Sequence, residues 1–224
     1  MKKILIFICM LLITQEIFAQ SETLNRVLRN DSSQKYLIQL PRQYTAERAF
    51  PILVAIHWYS GTAEQQINEW RFLAQKDSYI LICPQFYEGY QRLAGSEDQK
   101  LIAIIDEVSS EFSVDRENIY LVGFSGGAQF ALRFVYKHPF LKAVCILSPG
   151  EFDSPPKNEQ LKSVKYFLGV GEKDSRLSIV KKLYNVLDKR GFDVSFESYP
   201  LVGHNIHSNM KSAVMKFLHD IHSP

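Results

Sequence analysis

The sequence predicts an α/β domain, a mostly parallel central sheet with helices on both faces, and three observations carry that prediction. Short apolar, β-branched runs alternate along the chain with segments of helical spacing, the pattern of a sheet covered on both sides by crossover helices. The pentapeptide Gly123-Phe124-Ser125-Gly126-Gly127 lies directly between the apolar run Ile119 to Val122 and a helix-like stretch from Ala128 to Lys137. Two later apolar runs end in loops that carry first an acidic residue and then a histidine.

Taken in order, the chain opens with Lys2 and Lys3, an apolar stretch from Ile4 to Ile13, and Ile17-Phe18-Ala19. A basic start, an apolar core and a small residue at the end form a secretory signal peptide, so residues 1–19 are expected to be removed after Ala19. The apolar stretch is shorter than the roughly 20 residues that span a bilayer, and no cysteine stands at the cleavage site to take a lipid. The expected product is a single domain of residues 20–224, secreted or periplasmic, with no stable membrane anchor. Strand-like runs follow at Ile52 to Ile56, Ile80 to Gln85, Ile119 to Val122, Val164 to Val170 and Val194 to Pro200. Helical spacing is found at Ala63 to Gln75, Asp98 to Phe112, Ala128 to Lys137, Leu177 to Arg190 and Ser208 to His219. Within the second of these, Leu101, Ile102, Ile105, Val108 and Phe112 recur so as to present one apolar face to the sheet. Gly191 after the fourth and Pro139 after the third sit where helices stop. No repeat, low-complexity tract or second domain is visible.

A serine between strand and helix in Gly-x-Ser-x-Gly can sit on a sharp turn that exposes its hydroxyl, because the flanking glycines leave room for the strained backbone. Ser125 is thereby a candidate nucleophile. A serine hydroxyl needs a base to take its proton and an acid to orient that base. The run Val164 to Val170 leads into Gly171-Glu172-Lys173-Asp174, and Val194 to Pro200 into Val202-Gly203-His204, so Asp174 is read as the acid and His204 as the base. Glu172 and Asp153 are the rival acids. His207 is a rival base or half of a metal pair, but no further ligands accompany it and no metal site is expected. His138, before Pro139, is read as meeting free carbonyls at a helix end.

The negative charge that develops on a substrate oxygen requires donors. Gly126, the residue after the nucleophile, is expected to supply one backbone N–H. The second is expected from the loop after the third strand, His57-Trp58-Tyr59-Ser60-Gly61, from either Trp58 or Tyr59. His57 is read as holding this loop by a hydrogen bond.

The segments Tyr36 to Pro41 (YLIQLP), Ile52 to Gly61 (ILVAIHWYSG), Ile80 to Gln85 (ILICPQ), Val114 to Gly127 (VDRENIYLVGFSGG), Gly169 to Asp174 (GVGEKD) and Gly203-His204 resemble successive landmarks of α/β-hydrolase esterases. The closest resemblance is to small secreted esterases grouped with polyhydroxybutyrate depolymerases and feruloyl esterases, with phospholipase/carboxylesterase-type enzymes a near second. Its most specific piece is the Asp-Arg-x-x-Ile-Tyr-Leu-x-Gly-Phe-Ser-x-Gly segment, whose Asp115 and Arg116 precede the nucleophile strand. The departure is Trp58, which stands where glycine is expected. The resemblance implies a secreted serine esterase that cleaves small-molecule or polymeric esters through an acyl-enzyme and needs no cofactor. The same three residues on this fold also serve serine peptidases, and a non-catalytic binding module is the reading from another class.

A formal net charge of +2 falls nearer zero once Lys2, Lys3 and Glu16 are removed, which points away from nucleic acid as a partner. Cys83 and Cys145 lie in apolar runs. In the usual hydrolase strand order two strands separate them, on the order of 14 Å, too far for a disulfide. Ser148 to Lys162, where larger hydrolases insert a helical cap, is a short Pro-containing loop, so the site is expected to be open. Trp58, Tyr59, Phe86, Tyr87, Tyr90 and Phe124 fall on or near loops at the carboxyl ends of strands, where open α/β sheets bind ligands, and are read as lining an acyl or aryl pocket.

Overall fold

The computed structural model describes residues 23–87, 90 and 96–222; the expected signal peptide, residues 1–19, lies outside them. Among the described residues the strands are β1 (Thr23–Leu28), β2 (Asp31–Gln39), β3 (Phe50–Ile56), β4 (Ile80–Pro84), β5 (Val114–Phe124), β6 (Ala143–Leu147), β7 (Lys165–Gly171) and β8 (Asp193–Tyr199). The helices are α1 (Ala63–Lys76), α2 (Glu97–Glu111), α3 (Gly126–Lys137), α4 (Leu177–Lys189) and α5 (Ser208–His222). The strands form one sheet in the order β1-β2-β4-β3-β5-β6-β7-β8. β2 runs antiparallel to both of its neighbours, and every pairing from β4 to β8 is parallel.

The two-residue period of the strands sorts the core into two layers. In β3, Ile52, Val54 and Ile56 join one cluster while Leu53 and Ala55 join the other; in β5, Ile119 and Leu121 divide in the same way from Tyr120 and Val122. The first layer is closed by Leu101, Ile105 and Val108 of α2, Phe130 and Phe134 of α3, and Leu183 of α4. The second is closed by Ile67 and Trp70 of α1 and Val214 and Leu218 of α5. This is the α/β-hydrolase fold, with helices on both faces of a mostly parallel sheet.

The helix starts and ends follow local chemistry. α1 begins after Thr62, whose hydroxyl accepts the Gln65 N–H while the Gln65 side chain accepts the Thr62 N–H, a reciprocal capping box. α3 starts two residues earlier than its apolar spacing suggests, because Gly126 and Gly127 form its first turn directly after Ser125. α5 runs on to His222. β5 begins at Val114, well before the apolar run Ile119 to Val122, because Val114 pairs with Phe50 across the sheet. His138 differs from its sequence reading: its Nε2 lies 3.1 Å from Asp98 Oδ2, so a carboxylate on α2 takes the place of helix-end carbonyls.

Between β6 and β7 the chain carries no inserted cap, only a 3₁₀ turn at Glu159–Ser163. Arg133 of α3 fixes the first part of this loop, donating to Asp153 Oδ2 at 2.7 Å and to Glu151 Oε1 at 3.0 Å. Arg190 donates to the Pro155 and Pro156 carbonyls further on. Cys83 on β4 and Cys145 on β6 are buried free thiols, held apart by β3 and β5.

Candidate active site

Ser125 joins β5 to α3 with φ 55° and ψ −116°. A non-glycine residue in that region carries steric strain, and two glycines make the turn possible. A Cβ on Gly123 would fall 2.2 Å from the Gly127 carbonyl oxygen, and one on Gly127 would fall 2.4 Å from the Ile56 carbonyl oxygen. Neither position accepts a side chain. The Ser125 N–H is tied to the Leu147 carbonyl of β6 at 2.8 Å, so the turn is anchored to the neighbouring strand.

Three of the sequence-predicted residues meet in one line. His204 Nε2 lies 3.0 Å from Ser125 Oγ, and His204 Nδ1 lies 2.7 Å from Asp174 Oδ2. An ionised carboxylate only accepts, so Nδ1 carries the proton and Nε2 presents its lone pair to the serine hydroxyl. Asp174 follows β7, and its other oxygen accepts the Arg176 N–H at 2.9 Å. Its side chain is fully buried. Burial works to raise its pKa, but the hydrogen bonds from His204 and the Arg176 amide outweigh that and hold it below the usual carboxylate range. The Phe124 ring stacks on the His204 imidazole, with centroids 4.6 Å apart and planes at 28°, which restricts the imidazole's rotation.

The rival residues are engaged elsewhere. Glu172 accepts from the Ser198 hydroxyl at 3.0 Å on the exposed side of its loop. Asp153 pairs with Arg133. His207 Nδ1 accepts the Asn209 N–H at 3.2 Å, at the start of α5. Among the described residues no group of three His, Cys, Asp or Glu side chains is placed to hold a metal ion.

The loop after β3 passes beside the serine turn. A Cβ on Gly126 would lie 3.0 Å from the Tyr59 backbone nitrogen, so these two residues stand side by side. The Trp58 carbonyl is used internally, accepting the Gly61 N–H at 2.8 Å and lying 2.8 Å from His57 Nδ1. His57 is buried, and its Nε2 accepts the Phe86 N–H at 3.0 Å. It therefore ties the loop after β3 to the loop after β4. The Tyr90 hydroxyl closes the same cluster on the His57 carbonyl.

A cleft of about 330 Å³ opens over Ser125 and His204. Trp58, Phe124 and Ile206 supply its apolar wall, and Glu69 and Asn205 add polar groups. Of the aromatic residues read as pocket lining, Trp58 and Phe124 take that position, edge to face with centroids 6.3 Å apart. Phe86 and Tyr90 do not. Each is 2% exposed and packs against Phe130, because the loop after β4 turns its rings inward under His57. Tyr87 and Tyr59 are 60% and 48% exposed and stand outside the cleft wall. Glu69, Asn205 and Ile206 escaped the sequence reading. Asn205 and Ile206 adjoin His204 and could have been found from that proximity, whereas Glu69 lies in the middle of α1 and carries no local signal.

A model of the phospholipase/carboxylesterase family matches residues 88–222, more than half of the chain. A probable feruloyl esterase C from Aspergillus terreus is 27% identical over 138 residues, covering 57% of this chain and 51% of that protein. The chain thus spans about half the length of the curated relatives it matches. Among solved structures, a ferulic acid esterase superposes with a TM-score of 0.70 at 18% identity, covering 90% of this chain and 97% of the other. A fungal esterase from Rhizomucor miehei superposes with a TM-score of 0.77 at 14% identity, covering 91% and 85%. The curated relatives stand with the feruloyl esterases of the nearer resemblance, and the family model is that of the second. On its sequence and its fold, the chain belongs to the phospholipase/carboxylesterase family of α/β-hydrolases.

Proposed function

We infer that this protein is a serine hydrolase of carboxylic esters, with Ser125 as nucleophile, His204 as general base and then acid, and Asp174 as the group that orients His204. The observation that carries this reading is the continuous hydrogen-bonded line from Asp174 Oδ2 through His204 to Ser125 Oγ. His204 Nε2 takes the hydroxyl proton as Oγ attacks the ester carbonyl, and the buried carboxylate stabilises the imidazolium that forms. The oxyanion is received by the Gly126 N–H, one of the amides that a helix start leaves without an intrahelical acceptor, and by the Tyr59 N–H beside it. Trp58 is better suited to a wall than to a donor, since the nitrogen that lies against Gly126 is that of Tyr59 and Trp58 lines the cleft. The imidazolium then protonates the departing alcohol, and water releases the acyl group by the reverse sequence.

The absence of an inserted cap between β6 and β7 and the aromatic wall of the cleft favour a bulky or polymeric ester over one that needs a closing lid. The basic and apolar opening of the sequence supports secretion or a periplasmic location. No cofactor is required by this chemistry.

The test is a fluorophosphonate probe together with matched aryl esters and peptide anilides. Wild type is expected to label and to cleave the esters with a far higher kcat/KM than the anilides. Ser125→Ala is expected to lose both labelling and hydrolysis while keeping its melting transition. Labelling that survives in Ser125→Ala removes this serine from the mechanism, and a preference for anilides makes the protein a peptidase.

A further inference from the structure

Ser148 follows β6 directly, and the ester chemistry above leaves it without a task. It is fully buried and holds a φ of 49°, a region that L residues enter at a steric cost and that glycine enters freely. Its Oγ makes no hydrogen bond of ordinary geometry inside the protein, and a buried hydroxyl left in that state is itself destabilising. A glycine would remove both costs. Two unfavourable features on one residue point from strain to function, and the surroundings of Ser148 say which function it is. The Leu147–Ser148 peptide is tied at both ends. Its carbonyl accepts the Ser125 N–H at 2.8 Å, and its N–H donates to the Gly169 carbonyl of β7 at 2.9 Å. Ser148 is therefore fixed to the nucleophile turn on one side and to the strand that leads to the acid on the other.

β6 and β7 run parallel with Leu147 opposite Gly169, and Asp174 lies on the loop that follows Gly171. There the Ser148 hydroxyl stands beside the Asp174 carboxylate and helps to hold it in its ionised form. Oδ1 of that carboxylate accepts the Arg176 N–H, and Oδ2 faces His204 Nδ1. Two carboxylate oxygens offer about four acceptor sites, so a third donor has room. We propose that Ser148 is a positioning residue for this site: a small turn of its side chain brings the hydroxyl into a hydrogen bond with the Asp174 carboxylate, which keeps Oδ2 aimed at His204 Nδ1 while His204 carries its second proton. The proposal rests on the reading of Ser125, His204 and Asp174 as nucleophile, base and acid. The imidazolium pulls on the carboxylate, and a further donor on that carboxylate resists both its rotation and the passage of the Nδ1 proton onto it. Ser148 meets no reacting atom and acts through Asp174.

The experiment is a double-mutant cycle on kcat with p-nitrophenyl acetate, read together with melting curves. Ser148→Gly and Ser148→Ala are each expected to lower kcat roughly 10-fold, the scale of a hydrogen bond to a charged group, with KM little changed. Ser148→Gly is expected to melt at the wild-type temperature or above it, because glycine is at ease at this φ and the buried hydroxyl is gone. In an Asp174→Asn background, Ser148→Ala is expected to cost nothing further, since the acid through which it acts is already lost. A merely structural role gives the opposite pattern, a lowered melting temperature alongside the loss and a loss of the same size in both backgrounds. The proposal is overturned by wild-type kcat in both single variants, by a Ser148→Gly protein that melts well below wild type, or by equal losses in the two backgrounds. In each of these cases Ser125-dependent hydrolysis and the Asp174→Asn defect remain. Hydrolysis that survives in Ser125→Ala, or wild-type kcat in Asp174→Asn, overturns instead the reading of the three residues on which the proposal rests.

Discussion

At the scale of single residues the acid is the sharpest case, because three carboxylates compete for the role and geometry separates them. Asp174 alone has a fully buried side chain with one oxygen on the imidazole and the other on a backbone amide. An amide at that position would offer His204 Nδ1 a donor as readily as an acceptor and favour the wrong tautomer. Asp174→Asn is therefore expected to lower kcat by up to about 10⁴-fold. Glu172→Gln and Asp153→Asn should stay close to wild type in kcat, since the one meets a serine and the other an arginine away from Ser125. Steady-state kinetics on one aryl ester decides the matter, and a crippled Asp153→Asn would move the acid to the loop after β6. The meeting of Ser125, Asp174 and His204 was legible in the sequence because each lies just after a strand within a short motif. Glu69 was not, because its place depends on Lys211, which α5 supplies 142 residues later.

At the scale of elements, the loop between β3 and α1 depends on His57. The ring is neutral there, with Nδ1–H donating to Trp58 and Nε2 accepting from Phe86. Burial holds its pKa below the ordinary imidazole value of 6.5, and a proton on Nε2 would face the Phe86 N–H directly. The unfolded chain takes up that proton more readily than the folded one, so His57 contributes stability fully above pH 6.5, and the contribution is lost as pH falls from there toward the lowered folded value. Wild type should therefore lose melting temperature more steeply between pH 7 and pH 5 than His57→Gln, whose side chain does not titrate. A constant gap between the two proteins across that range would show that another group carries the loss. The structural role of His57 could be read from the sequence; the inward turn of Phe86 and Tyr90 could not. Position at the carboxyl end of a strand says that a ring is near the ligand edge of the sheet, but its direction is fixed by the partners it finds, here His57 and Phe130.

At the scale of the whole molecule, the parallel strands β3, β4, β6 and β7 and the second half of β5 were legible because they are buried on both faces and read as apolar runs, whereas the edge strand β8 alternates polar with apolar residues. The edge strand β1 was harder to see: TLNRVL mixes polar and apolar residues and is only partly buried. The strand order has one further effect, through the two thiols on β4 and β6. No disulfide joins the two cysteines of the described core, so its stability should be indifferent to the redox state of its surroundings. Cys83 and Cys145 are each fully buried in the centre of the sheet, and burial raises both pKa values above the ordinary thiol range, which suppresses the reactive thiolate. A thiol reagent can reach them only when the central strands separate. The labelling rate of chain lacking residues 1–19 is therefore expected to match the global opening rate from denaturant extrapolation, and the melting temperature to be the same with and without dithiothreitol. Fast labelling of folded protein would mean that β4 or β6 opens on its own. The two cysteines thus serve as a built-in clock for unfolding, readable by mass without any introduced label.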